Sequence, residues 1–94
     1  MQFLVVAHDG TDDQALERRM AVREDHLEGA RKRAASGMTI CGGALLDDDG
    51  KMIGSASNIE IESRAELDAW LASDPYVTGN VWQSITVTPF RRAV

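Results

Sequence analysis

The sequence is poor in most features that announce a cofactor or a crosslink. Its 94 residues hold one cysteine, Cys41, so no internal disulfide can form, and a reducing compartment, the cytoplasm, is the expected location. The two histidines, His8 and His26, make no HxxxH or HExxH pairing, and there is no CxxC, which leaves no ligand set for a metal. Walker loops and GxGxxG turns are absent too, so no cofactor is expected. Ten Lys and Arg stand against 15 Asp and Glu, a net charge of -5, which argues against nucleic acid or an anionic membrane surface as the main partner. No apolar run approaches the ~20 residues of a transmembrane helix. The first ten residues carry no basic stretch, so no secretory leader is expected.

What is present is patterned as alternating strands and helices. Residues 2–8 are a short apolar run closed by Asp9-Gly10, and the lack of polar alternation reads as a strand buried on both faces. A helix follows from about Asp13 to Ala35, with Asp12 or Asp13 as its cap and Gly37 at its far end. Residues 38–46 read as a second strand, in which Gly42-Gly43 marks a bulge or a close backbone approach. Asp47-Asp48-Asp49-Gly50 is a hairpin turn into a third strand, 51–61, with Ile53, Ser55, Ser57, Ile59 and Ile61 on one face. Ser63 to Glu66 is a capping box that opens a helix over about 64–73, burying Leu67, Trp70 and Leu71 and stopped by Pro75. Residues 76–80 are then a loop, and 81–89 a fourth strand that Pro89 ends or places on an edge.

The order βαββαβ is the split, ferredoxin-like α+β arrangement: one domain over residues 1–94, with two helices on one face of a four-stranded antiparallel sheet. A chain this short buries only ~65% of its unfolded surface. Strands apolar on both sides need cover on the second face, and two sheets face to face in a homodimer would supply it.

The first helix carries the informative anomaly. Leu16, Met20, Leu27, Ala30 and Ala34 fall on one stripe at 3.6 residues per turn. Arg23 lies within the span of that stripe, His26 at its border, and Arg19 between the two in angle. Cations on the core side of a helix imply a pocket beneath it. Asp74, which proline turns out of the second helix, either bonds local backbone or orients His26 as a general acid/base. Arg23 either snorkels towards an acidic neighbour or holds an anionic group. Ser55, next to Gly54, can offer its hydroxyl to a ligand but has no base tied to it by spacing. Cys41 reads as a small core residue, and His8 as either exposed or lining the same cleft. Tyr76 and Trp82 can wall a pocket, with core packing as their default. The acidic runs Asp12-Asp13 and Asp47-Asp48-Asp49 read as solvated turns.

The block Arg19-Met20-Ala21-Val22-Arg23-Glu24-Asp25-His26-Leu27 resembles the R-x-x-x-R-x-x-H-L block of YciI-like (YCII-related) proteins. Gly37, Gly42-Gly43-Ala44-Leu45, Gly54-Ser55, Ser73-Asp74-Pro75-Tyr76 and Val87-Thr88-Pro89-Phe90 follow in that family's order, so the resemblance spans nearly the whole chain. It implies a dimeric α+β barrel of ferredoxin-like subunits and an active-site cleft with a histidine and an aspartate, which map onto His26 and Asp74. Arg23, Gly43 and Ser55 match other recurring positions and are the substrate contacts it implies. Some relatives look like lyase-type enzymes acting on small aromatic or chlorinated rings. The reading is therefore a small cofactor-independent enzyme, with a non-catalytic small-molecule-binding dimer as the alternative and a purely structural oligomer as a third.

Overall fold

The computed structural model describes residues 1–94. Strand β1 (Gln2–Asp9) lies inside a sheet of order β2-β3-β1-β4, completed by β2 (Thr39–Leu46), β3 (Met52–Glu60) and β4 (Trp82–Pro89), all pairs antiparallel. Helices α1 (Ala15–Ala35), α2 (Arg64–Ser73) and the single turn α3 (Pro75–Thr78) pack on one face of it. This is the ferredoxin-like α+β architecture expected. No helix is long and apolar enough to cross a membrane.

Side-chain alternation sorts the sheet into two faces. Phe3, Val5, Ala7 and Asp9 of β1 are buried under the helices, whereas Leu4 and Val6 are half-buried and His8 is exposed. The expectation that β1 is buried on both faces is corrected: within one chain only the helical side is sealed. Register carries that face across the sheet, since Ala7 lies opposite Ser55, Val5 opposite Ser57 and Phe3 opposite Ile59. Phe3, Val5, Ala7 and Ile59 form the core with Leu67 and Leu71 of α2, Tyr76 of α3, and Val81 and Trp82.

Several local expectations hold. Ser63 accepts from the Glu66 amide at 3.2 Å and starts α2; Gly37, at φ +84°, ends α1; Asp47 accepts from the amides of Asp49 and Lys51 in the hairpin turn. Others are corrected. Neither Asp12 nor Asp13 caps α1: its N-cap is Gln14, without a side-chain bond, because Asp12 is taken by Arg18 at 2.9 and 3.1 Å. Of the two readings of Gly42-Gly43 only the bulge is corrected, since the strand irregularities fall between Thr39 and Cys41 and between Leu45 and Leu46; the close approach is found at Gly42, where a Cβ would stand 3.3 Å from that of Ser57. Cys41 is exposed, because β2 is an edge strand that the core does not reach. The stretch after Asp74 is a helical turn instead of a loop, as Pro75 occupies its first position and Asp74 caps it.

The largest correction concerns α1. Of its 21 residues only Ala15 and Arg19 are buried, while Met20 is 50% exposed and Ala34 exposed. The inward line is Arg19, Arg23, His26, Ala30 and Arg33, spaced alternately four and three residues apart, the spacing of one helical face. An apolar stripe was the wrong template, because this helix roofs a cavity.

Candidate functional site

The cavity lies between α1 and the β2–β3 half of the sheet and has a volume of about 500 Å³, room for a small organic molecule. Its floor is made of small residues: Gly42, Gly43 and Ala44 from β2, and Ser55, Ala56 and Ser57 from β3. Side chains this short leave the helix unsupported over that half of the sheet, and the gap is the site. Trp70, Tyr76 and Trp82 wall it with aromatic surface. Arg19, Arg23, Arg31, Arg33 and His26 line it, and no Asp or Glu does. In a chain of net charge -5 this is a local excess of cations.

Asp74 is the hub on one side. Its side chain is fully buried and accepts four hydrogen bonds: on Oδ1 from His26 Nδ1 at 2.7 Å and the Tyr76 amide at 2.9 Å, on Oδ2 from Trp70 Nε1 at 3.1 Å and Arg33 at 3.4 Å. Burial alone would raise its pKa, but the His26 bond, the Tyr76 amide and the charges of His26 and Arg33 outweigh this and hold it below the usual carboxylate range. An ionised carboxylate only accepts, so the proton in the 2.7 Å contact sits on His26 Nδ1. The ring's other nitrogen, Nε2, is thereby left for the cavity. The imidazole is also held flat: it stacks on Tyr76 with centroids 3.8 Å apart and planes 12° from parallel, and meets Trp82 edge-on at 5.7 Å. Arg33 lies over Trp70 at 4.5 Å, and burial lowers its pKa against the opposing charge of Asp74.

A second network stands beside the first. Arg19 forms a buried ion pair with Asp9, with Nη1 3.0 Å from each carboxylate oxygen, and its guanidinium lies 4.6 Å from the Tyr76 ring centre. Its Nη2 donates to Ser55 Oγ at 3.0 Å, and Trp82 Nε1 donates to the same oxygen at 3.2 Å. Tyr76, wedged between the networks, has its hydroxyl pKa raised by burial, with Arg19 and Arg23 pulling the other way.

The structure brings His26, Asp74, Arg23 and Ser55 together around one cavity. Asp74 itself stands behind His26, sealed from the lumen. Gly43 contributes backbone to the floor, but a Cβ there would meet nothing within 4 Å, so no contact inside this chain requires a glycine. His8 is exposed at the end of β1 and borders a separate hollow with Gly10 and Lys51. The residue reading missed Arg33 and Trp70 as partners of Asp74, and Arg19 as a buried cation. Arg33 was findable, seven residues beyond His26 and so on the same helical face. The Arg19–Asp9 pair had no local signal, since it joins a strand end to a helix.

Residues 1–91 match the YCII-related domain. The chain belongs to that family. It is 31% identical over 98 residues to Protein YciI of Escherichia coli and of Shigella flexneri, and 30% identical to an uncharacterised protein of Haemophilus influenzae, covering 98% of both chains each time. Among solved structures it is similar to 5-chloro-2-hydroxyhydroquinone dehydrochlorinase of Burkholderia phenoliruptrix, in complex with 2,5-dihydroxybenzoquinone. There the TM-score is 0.85, at 24% identity over 99% of this chain and 96% of that one. A protein of Mycobacterium tuberculosis superposes with a TM-score of 0.60, at 18% identity over the full length of both. These two likenesses establish the fold.

Proposed function

We propose that the chain is a small cofactor-independent enzyme of lyase or elimination type acting on a small organic, ring-shaped substrate. His26 acts as general acid/base through Nε2, Asp74 fixes its tautomer and orientation, and Arg23 holds an anionic group of the substrate. The observation that carries this is the 2.7 Å contact from His26 Nδ1 to a fully buried carboxylate at the wall of an aromatic cavity. A histidine serving only the core would not need its second nitrogen at a lumen lined by arginines. Arg23 makes no ion pair with the protein, which leaves its charge available. Similarity in fold to a dehydrochlorinase is consistent with this chemistry. The floor residue Gly43 completes the substrate contacts. The half-buried Leu4 and Val6 on the uncovered face favour a homodimer with sheets face to face, and the lone exposed cysteine fits a cytoplasmic setting.

The test is proton transfer itself. Chlorinated hydroquinones and enolisable ring ketones are screened for halide release and, by proton NMR in deuterium oxide, for solvent exchange. Wild type should turn over at least one of them, and His26→Gln should lose about 10²–10⁴ of that rate. Turnover that survives in His26→Gln sinks the assignment. Binding without turnover in either protein points instead to a non-catalytic binding module.

A further inference from the structure

The Ser55 hydroxyl has one feature that the acid/base reading does not use. A hydroxyl carries two acceptor lone pairs and one proton. Both lone pairs of Ser55 Oγ are occupied, by Arg19 Nη2 at 3.0 Å and Trp82 Nε1 at 3.2 Å, and the hydroxyl makes no hydrogen bond in which it is the donor. Two N–H donors converging on one oxygen leave its O–H a single role, that of donor. Ser55 lines the cavity on the helix-facing side of β3.

The donors are themselves fixed. Arg19 is 3% exposed and pinned by Asp9 through both carboxylate oxygens; Trp82 is buried in the core. A cation bonded to Oγ withdraws electron density from it and makes the remaining O–H a stronger donor. The arrangement is preorganised, because neither Arg19 nor Trp82 has to move when a charge develops in the cavity.

We propose that Ser55 is an obligate hydrogen-bond donor that selects ligands presenting an anionic oxygen, such as a phenolate or enolate, and rejects isosteres that present an N–H in its place. The proposal rests on the reading of the cavity as a small-molecule site, and it adds the polarity of one contact and hence the ligand's oxygen chemistry. Arg23, unpaired in the same lumen, is likewise a donor only and acts in the same direction on charge, but it ends a long side chain that no ion pair holds, whereas Ser55 Oγ is fixed by Arg19 and Trp82 and sets the requirement at one ring position.

The test is equilibrium binding of unreactive probes of one shape: 4-nitrophenolate, which presents an anionic oxygen, against 4-nitroaniline, which presents N–H donors, followed by absorbance above the phenol's own ionisation. Wild type should favour the phenolate by roughly tenfold or more, the worth of one hydrogen bond to a charged group. Ser55→Ala should lose most of that preference and Ser55→Thr, which keeps the hydroxyl, should retain it. Should Ser55→Ala unfold through its stranded Arg19 and Trp82 donors, Ser55→Cys, whose S–H is only a weak donor, takes its place and should lose most of the same preference. Equal binding of the two probes by wild type, no phenolate binding, or a preference undiminished in folded Ser55→Ala overturns the proposal. None of these outcomes depends on whether His26 moves a proton, which is decided by turnover in His26→Gln.

Discussion

Replacing Asp74 with asparagine isolates the charge of the hub from its shape. Asparagine keeps the volume and still caps α3, since its amide oxygen can accept from the Tyr76 amide as Asp74 does at 2.9 Å. With that oxygen in the Oδ1 position, the amide NH₂ replaces Oδ2 and faces Trp70 Nε1 and Arg33, two donors that then lack an acceptor. Each stranded donor costs about 1–3 kcal/mol, with the 3.4 Å Arg33 contact at the low end. Losing the charge beside the largely buried Arg33 guanidinium brings the change towards the range of about 3–5 kcal/mol for breaking a buried pair. We expect a loss of about 3 kcal/mol, or roughly 12–24 °C in Tm for a domain of this size. Urea denaturation gives the comparison, with the midpoint falling and the slope unchanged.

The pH dependence sharpens the test. The Asp74 pKa is lowered on folding, so its contribution to stability is complete above the unfolded carboxyl value of about 3.9 and is lost as pH falls through the folded value. The cost of Asp74→Asn is therefore largest near neutrality and shrinks in acid, where wild type has lost the same charge. A cost under about 1 kcal/mol at neutral pH, or one that is constant down to about pH 3, would refute the picture of Asp74 as an ionised hub.

Three further outcomes follow from particular contacts. Arg19→Met leaves the buried Asp9 carboxylate without its cation and should cost about 3–5 kcal/mol by thermal unfolding. Gly54→Ala drives a Cβ into the Ala7 carbonyl oxygen between paired strands; backbone cannot yield cheaply there, and a loss of at least about 1–3 kcal/mol is expected in urea. Ser63→Ala removes the bond to the Glu66 amide at an exposed helix start and should cost only about 1 kcal/mol by the same assay.

Much of the fold was legible because it is specified locally. The Ser63 cap, the Asp-Gly hairpin and the β-branched strands each act within a few residues, and their order leaves few topologies. The α1 face was misjudged for a physical reason. An apolar stripe is the right expectation for a helix lying on a core, but much of α1 lies over Gly42, Ala44, Ser55 and Ser57, whose short side chains leave a cavity beneath it. Met20 therefore turns to solvent while Arg19 is buried against Asp9. Cys41 changes from core to surface for a separate reason: on the edge strand β2 it pairs with Asn58, which lies opposite Leu4, so it stands on the sheet face that the helices leave uncovered.

The site divides along the same line. The sequence by itself determined that His26 and Arg23 share a helix face and that Asp74, held extended by Pro75, is free to leave its own helix. These are consequences of backbone periodicity and of one proline ring. Only the tertiary structure decided that Asp74 Oδ1 lies 2.7 Å from His26, that Trp70 and Arg33 close over its other oxygen, and that Arg19 and Trp82 converge on Ser55. Those contacts join residues up to 48 positions apart, and no local rule fixes a hydrogen bond across that separation. They exist because burying an ionised carboxylate or a guanidinium is tolerable only where the rest of the chain supplies partners for it.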